Sequence, residues 1–314
     1  MNTNILQELE NWIPYKLSFV DEQPRCEWLY TNDKEFTEPF FDETISKCRS
    51  ANFHSFRSVS GIEVLPQWSA GIERVQPSAF IFHVSRCGST LASQLLAQDR
   101  TNIVLSEVPF FDSILRAGNN IPYQVLKDAL AFYSPVKNYR ERLFIKTDSW
   151  HIFFYKQIRE LYPQTPFILL YRRPDEVVRS QQKRRGMHAI PGVIEPALFG
   201  FENDVRVMNQ DVYLGEVLDK YFQAFLQVLE KDTLATPINY NEGPVAMVEK
   251  IAQITNTPIS DEAMEKIKSR AMYHAKYPEQ VFSEEAIQDP VPDYCRSAYD
   301  KYEALDKIRK SYNF

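Results

Sequence analysis

From residue 78 onward, short and nearly continuous apolar runs alternate with longer amphipathic segments, which predicts buried strands separated by helices. Strands are predicted for the apolar, β-branched and aromatic runs at 79–85, 102–106, 143–147, 166–172 and 236–240. Helices are predicted at 89–98, 150–161, 174–185, 211–231, 244–255, 260–271 and 292–310. Nearly continuous apolar strands between amphipathic helices are typical of a parallel sheet covered on both faces. The predicted class is therefore α/β, with a doubly wound parallel sheet.

Residues 1–76 follow a different pattern, with many aromatic residues, short strand-like pieces and turn residues. Pro66 and Pro77 separate this region from the alternating pattern. We predict two units: a small aromatic-rich N-terminal subdomain at 1–76, whose fold the pattern does not specify, and an α/β domain at 77–314.

Composition narrows the class of protein further. The chain has 314 residues and a net charge of −6, which disfavours nucleic-acid binding through overall charge. Its four cysteines form no CxxC pair, so neither a zinc site nor a disulfide framework is expected. The polar, acid-containing start does not predict a signal peptide, and no apolar run approaches the roughly 18–20 residues that span a bilayer. We expect a cytoplasmic protein without a nucleic-acid or membrane partner.

The segment Ser85-Arg86-Cys87-Gly88-Ser89-Thr90-Leu91 lies between a predicted strand and a predicted helix. A sharp turn of small polar residues into a helix directs backbone N–H groups at one point and adds the positive end of the helix dipole. Residues 86–91 are thus candidate anion-binding residues, although a turn with a capping serine explains the same pattern. The Walker A pattern GxxxxGK[ST] is absent. The helix N-terminus and Arg86 predict a lowered pKa for the Cys87 thiol.

A second candidate unit follows the predicted strand at 166–172. Arg172 ends that strand, Pro174 opens the next helix, and Ser180 lies eight residues after Arg172. The arginine fork matches phosphate oxygens in two parallel hydrogen bonds. An ordinary strand-end arginine is the alternative interpretation. The basic residues Arg179, Lys183, Arg184 and Arg185 fit a helix C-terminus equally well, and His188 is a weaker candidate for contact with a substrate.

Two further strand ends carry ionisable residues. Glu107 follows the strand at 102–106, and Lys146-Thr147-Asp148 ends the strand at 143–147. Parallel strands bring their carboxyl ends to one edge of the sheet, where ligands bind. A carboxylate there suits a general base and a lysine suits a developing negative charge, although both residue types also form ion pairs at sheet rims.

These residues together resemble PAPS-dependent sulfotransferases of the bacterial or Golgi-like type, over about residues 78–276. Residues 86–90 match the 5′-phosphosulfate loop position for position, and Arg172 and Ser180 match the pair that holds the 3′-phosphate of 3′-phosphoadenosine 5′-phosphosulfate (PAPS). Glu107 resembles the base of heparan sulfate and tyrosylprotein sulfotransferases. The chain departs from the cytosolic enzymes, because Asp148 stands where they carry a histidine base; either carboxylate fits the role.

The resemblance implies a P-loop-type fold and transfer of a sulfuryl group from PAPS to a hydroxyl or similar acceptor, without a metal. Glu107, Lys146 and Asp148 would be catalytic, and residues 86–91, Arg172, Ser180 and Lys276 would bind the donor. The expected acceptor is a small molecule or glycan, and the sequence leaves a homodimer open. A P-loop small-molecule kinase and a non-catalytic nucleotide-binding scaffold are the alternatives.

Overall fold

In the part of the N-terminal region that the structure describes, the chain forms a small antiparallel sheet with two helices. A computed structural model describes residues 9, 11–51, 58–136, 139–273, 280 and 290–312. The N-terminal elements are β1 (Trp12–Val20), β2 (Gln23–Tyr30), α1 (Phe41–Ala51), β3 (Ser58–Gly61) and α2 (Val64–Ser69). The strands pair in the order β1-β2-β3. The described residues at 9, 11–51 and 58–76 thus have a regular fold that the sequence pattern did not specify.

A five-stranded parallel sheet forms the second unit. Its strands are β4 (Pro77–His83), β5 (Asn102–Ser106), β6 (Arg142–Lys146), β7 (Phe167–Tyr171) and β8 (Ala235–Asn239). They lie in the order β5-β6-β4-β7-β8, and each neighbouring pair is parallel. Every residue of β7 and β8 is buried, as expected for strands covered on both faces. The predicted doubly wound α/β class is confirmed.

Helices connect these strands and cover both faces of the sheet. Each of the five strands agrees with its predicted position to within two residues at either end. The helices are α3 (Ser89–Leu96), α4 (Pro109–Arg116), α5 (Gln124–Tyr133), α6 (Tyr155–Leu161), α7 (Pro174–Lys183), α8 (Gln210–Leu229), α9 (Pro244–Ile254), α10 (Asp261–Ala271) and α11 (Arg296–Arg309). In the part of the chain described, none of these helices is both long enough and apolar enough to cross a membrane.

One segment predicted as α-helix differs in type. Residues Ser149–Phe154 form a 3-10 helix that precedes α6. Asp148 caps it: the Asp148 side chain accepts from the backbone N–H of His151, and the His151 side chain accepts from the backbone N–H of Asp148. This reciprocal cap tightens the first turn and fixes both side chains at the end of β6.

The strand order indicates which edge of the sheet is the expected ligand site. The chain passes from β4 outward to β5, returns to β6, and then crosses to β7 on the other side of β4. Loops leaving neighbouring strands therefore diverge at the carboxyl end of β4, and such switch points form crevices. Ser85–Leu91, Glu107, Thr147 and Arg172 all lie at this edge.

Both units share one hydrophobic core. The Trp28 ring meets Phe132 of α5 edge-on at 5.0 Å, and Phe41 meets Tyr133 at 5.5 Å. The hydroxyl of Tyr133 donates to the backbone carbonyl of Pro14 in β1. The division at residue 76 stays a prediction.

Candidate functional site

The loop between β4 and α3 has a backbone conformation suited to binding an anion. Ser85, Arg86 and Gly88 have positive φ angles of 65°, 49° and 76°. The following helix α3 begins at Ser89, and the first amides of a helix have no partner within it. Left-handed residues in succession before a helix N-terminus form a concave group of N–H donors. We call residues 85–91 the phosphate loop.

Two features of the structure favour glycine at position 88. Its φ of 76° disfavours residues with a Cβ atom. A Cβ atom added there would also lie 2.3 Å from two ring carbons of Tyr240. Tyr240 follows β8, and the guanidinium of Arg172 lies over its ring at 4.7 Å. The aromatic ring therefore joins the phosphate loop to Arg172.

Cys87 contributes no reactive thiol. Its side chain is fully buried and donates to the backbone carbonyl of Leu170 at 3.4 Å. Burial raises the pKa of the thiol to about 12, so the lowered pKa expected from the helix N-terminus is wrong. The side chain fills space against β7, which leaves only the backbone of Cys87 for a ligand.

The second predicted unit lies beside the first. Arg86 donates through Nε to the Ser180 hydroxyl at 2.9 Å and through a terminal nitrogen to the Ser180 carbonyl at 3.2 Å. Arg172 is buried and donates through Nε to Glu176 at 2.8 Å. The structure thus brings Arg86, Ser180 and Arg172 to the same edge of the sheet. Lys276 lies outside the described residues.

Lys146 and Glu107 form the centre of the site. The Lys146 ammonium lies 2.9 Å from a Glu107 carboxylate oxygen and 3.4 Å from the Thr90 hydroxyl of the phosphate loop. Lys146 is completely buried, whereas Glu107 keeps 21% of its side chain exposed. Burial raises the pKa of Glu107, but Lys146 and His83 lower it more, to about 2. The carboxylate is therefore ionised near neutral pH and reachable by a ligand.

His83 is a site residue that sequence reasoning missed. Its Nδ1 accepts from the backbone N–H of Ser85 at 3.1 Å, and its Nε2 lies 2.9 Å from the Thr147 carbonyl and 3.4 Å from Glu107. Burial lowers the pKa of His83, so we assign a neutral ring with the proton on Nε2. A polar residue near the end of an apolar strand is the signal that the sequence offered.

Asp148 lies behind this centre and serves as a cap. It accepts from the backbone of His151, as described above, and is largely buried. Burial and the negative charges of Glu107 and Asp112 raise its pKa well above the usual range. A carboxyl group that resists ionisation is a weaker candidate for the base than Glu107 in the same surroundings.

Three residues near this cap have the composition of a metal site. Asp112, Asp148 and His151 place ligand atoms within 4.8 Å of one another. Asp112 accepts from His151 Nε2 at 3.0 Å and from the Trp150 indole N–H at 2.6 Å, and it pairs with Arg116 at 3.0 Å. These contacts account for the arrangement as a hydrogen-bond network, and metal independence stays a prediction.

The N-terminal region supplies one wall of the site. The Phe40 ring lies 4.9 Å from the Lys146 ammonium. Burial and the Glu107 charge raise the pKa of Asp42 in the first turn of α1. The start of α1 therefore faces the Lys146–Glu107 pair.

Two residues of the basic cluster, Arg179 and Arg185, form ion pairs within the protein. Arg179 pairs with Asp175 at 3.0 Å, and Arg185 pairs with Asp211. His188 is buried, which lowers its pKa to about 3, and its Nε2 lies 3.0 Å from the Gln181 amide nitrogen. His188 thus has a structural contact here, which accounts for its burial.

Comparison with known proteins gives low similarities. No protein-family model matches the chain, and no curated protein matches it. Several solved structures that it resembles are sulfotransferases. A sulfotransferase domain from the curacin biosynthetic pathway is 14% identical with a TM-score of 0.48, covering 74% of this chain and 99% of that one. A sulfotransferase from Mycobacterium avium is 14% identical with a TM-score of 0.47, covering 87% and 83%. One from Alicyclobacillus acidocaldarius is 12% identical with a TM-score of 0.43, covering 76% and 98%. Similarities this low assign neither an activity nor a site residue to this chain.

Proposed function

We propose that this protein is a sulfotransferase that moves a sulfuryl group from PAPS to a hydroxyl acceptor and releases 3′,5′-ADP. The observation that carries the proposal is the position of Lys146, 2.9 Å from the Glu107 carboxylate and 3.4 Å from Thr90 of the phosphate loop. A cation between a base and an anion-binding loop suits a reaction in which one side loses a proton and the other gains negative charge. The acceptor class is a small molecule or a glycan.

Different residues of the chain accept the proton, stabilise the leaving group and bind the donor. Glu107 accepts the acceptor's hydroxyl proton while that oxygen forms a bond to sulfur. The bond between sulfur and the bridging phosphate oxygen breaks, and the electron pair stays on the released 5′-phosphate. The phosphate-loop amides, Arg86, Ser89, Thr90 and Lys146 stabilise that charge. Arg172 and Ser180 bind the 3′-phosphate.

The Lys146–Glu107 pair also suggests how the base becomes active. While the pair is intact, Lys146, together with His83, holds the pKa of Glu107 well below its usual range, where a carboxylate is a weak base. When Lys146 turns towards the donor's phosphate, Glu107 loses its cationic neighbour. Burial then raises the carboxylate pKa and makes proton transfer more favourable. Donor binding would therefore precede activation of the acceptor.

Calorimetric titration with 3′,5′-ADP, 5′-AMP and ATP–magnesium tests the donor assignment. We expect micromolar binding of 3′,5′-ADP and weak binding of 5′-AMP, followed by PAPS-dependent transfer in an acceptor screen. Preference for ATP–magnesium would indicate a P-loop kinase, although the Walker lysine is absent. Absence of binding to all three ligands would favour a non-catalytic scaffold. Transfer that survives chelation of divalent cations would support metal independence.

Arg172→Ala tests the 3′-phosphate site within the same titration. Loss of a charged hydrogen-bond donor should weaken 3′,5′-ADP binding by about 1–3 kcal/mol and leave 5′-AMP binding nearly unchanged. Arg173→Ala is the matched control, because the Arg173 side chain pairs with Asp175. Unchanged affinity of the Arg172 variant for 3′,5′-ADP would refute this assignment.

A further inference from the structure

We propose that Gln181 is a positioning residue that fixes the spacing between the 5′-phosphate and 3′-phosphate sites. The proposal rests on the sulfotransferase function proposed above. It concerns how the two sites recognise one ligand together, and it assigns Gln181 no contact with that ligand.

Two adjacent pairs of residues join the phosphate loop to α7. Arg86 bonds to the hydroxyl and carbonyl of Ser180, as described above. The residue before Arg86 and the residue after Ser180 form a second link, because the Gln181 amide nitrogen donates to the Ser85 hydroxyl at 3.2 Å. Two connections between the same segments restrict rotation as well as separation, which a single hydrogen bond does not.

The loop at this point needs such support. Ser85 and Arg86 have left-handed backbone angles without being glycines, a conformation that costs on the order of 1 kcal/mol per residue. Such residues keep their geometry only where surrounding contacts hold them. On one side the His83 ring accepts from the Ser85 amide, and on the other Gln181 donates to the Ser85 hydroxyl.

The Gln181 amide itself has a fixed orientation. The residue is fully buried, and its carbonyl oxygen accepts from the Gly186 N–H at 2.8 Å. Its amide nitrogen lies 3.0 Å from His188 Nε2. Burial keeps the His188 ring neutral, and because the Gln181 nitrogen can only donate, we assign the ring proton to Nδ1 and the acceptor role to Nε2. The carbonyl and both N–H groups of the amide are thus used, so the group cannot rotate without breaking a buried hydrogen bond.

A fixed spacing favours a ligand with two phosphates over a ligand with one. 3′,5′-ADP gains from both sites only if their separation matches its own, whereas 5′-AMP needs the phosphate loop alone. Loosening the connection should therefore reduce affinity for 3′,5′-ADP more than affinity for 5′-AMP. The ratio of the two dissociation constants reports the positioning effect directly.

Gln181→Leu and its neighbour Gln182→Leu make a matched pair for the test. Gln182 is exposed and donates to Asp211, away from the phosphate loop. We expect Gln181→Leu to reduce the preference for 3′,5′-ADP over 5′-AMP about tenfold, the effect of roughly one hydrogen bond. Gln182→Leu should leave the preference unchanged. Thermal unfolding of each variant verifies that it is folded.

Ser85→Ala removes the same hydrogen bond without altering the buried amide, so it keeps the test valid if Gln181→Leu does not fold. We expect Ser85→Ala to reduce the preference for 3′,5′-ADP over 5′-AMP as much as Gln181→Leu does. The double variant should show no greater reduction than Gln181→Leu alone. The positioning role would be overturned if Ser85→Ala kept the preference of the unaltered protein for 3′,5′-ADP, or if Gln182→Leu reduced that preference as much as Gln181→Leu. If the unaltered protein shows no preference for 3′,5′-ADP, the proposed function itself fails.

Discussion

Glu107 adopts a strained backbone conformation where the proposed chemistry takes place. Its φ angle is 55°, in the left-handed region that residues with a side chain seldom occupy. Its backbone N–H donates to the Lys146 carbonyl at 2.8 Å, which continues the pairing of β5 with β6 by one residue. The strain places the carboxylate against the Lys146 ammonium. Strain of this kind at a sheet edge is consistent with a functional constraint.

Glu107→Gln tests the base directly. The amide cannot accept a proton at neutral pH but keeps the size of the carboxylate, so PAPS-dependent transfer should fall by at least about a hundredfold. Binding of 3′,5′-ADP should persist, which calorimetry measures. Glu141→Gln is the control, because Glu141 is exposed just before β6. Full activity in Glu107→Gln would indicate that Asp148, and not Glu107, is the base.

Asp148→Asn distinguishes the two possible roles of Asp148, as a helix cap and as the catalytic base. Asparagine caps helices as well as aspartate does and removes a charge that burial, Glu107 and Asp112 disfavour. The raised pKa means that folding favours protonated Asp148. This contribution to stability is fully present below the unfolded pKa, near 3.8, and is lost as pH rises through the folded pKa.

The variant should therefore be more stable than the unaltered protein at neutral pH, and the advantage should shrink as the pH falls towards the unfolded pKa. Thermal unfolding across this pH range measures the difference. Transfer should survive in Asp148→Asn if Glu107 is the base. Lower stability of the variant at neutral pH would contradict the raised pKa.

At the scale of elements, the predictable and unpredictable features have different physical origins. The strands at 102–106 and 166–172 were predictable because burial on both faces requires apolar residues throughout. The phosphate loop was predictable because a lone glycine and small polar residues stood between two periodic patterns. The hydrogen bonds of Gln181 were not, since a glutamine in a helix gives no sign of which distant residue it contacts. The cover that Phe40 gives Lys146 depends likewise on tertiary packing.

Gly88→Ala tests the close contact between the phosphate loop and the residue that follows β8. The added methyl group would meet the Tyr240 ring and also strain a positive φ angle, so the loop or the ring must move. We expect weaker 3′,5′-ADP binding and lower thermal stability. Gly118→Ala separates the two causes, because Gly118 has a φ of 58° but no atom within 4 Å of the added group. If both variants bind 3′,5′-ADP equally well, the Tyr240 contact is not required.

At the scale of the whole molecule, the N-terminal region and the parallel sheet depend on each other. β1 packs on α4 and α5, the Phe40 ring covers Lys146, and one buried apolar cluster extends from Ile13 through the main sheet. Separating the units would expose Trp28 and Phe132 to water, at a cost of about 25 cal/mol for each Å² of apolar surface uncovered. A core shared in this way favours cooperative unfolding over independent melting of two parts.

We therefore expect the full chain to unfold in one transition. Tryptophan fluorescence reports mainly on the N-terminal region, which holds Trp12, Trp28 and Trp68, whereas far-ultraviolet circular dichroism reports mainly on the helices around the main sheet. The two signals should change together in urea. Saturating 3′,5′-ADP should raise the free energy of unfolding by about 2.7 kcal/mol at a ligand concentration of 100 times Kd. Both transitions should therefore move to higher urea concentration. An earlier fluorescence transition that the ligand does not move would show that the N-terminal region folds independently and would remove it from the proposed site.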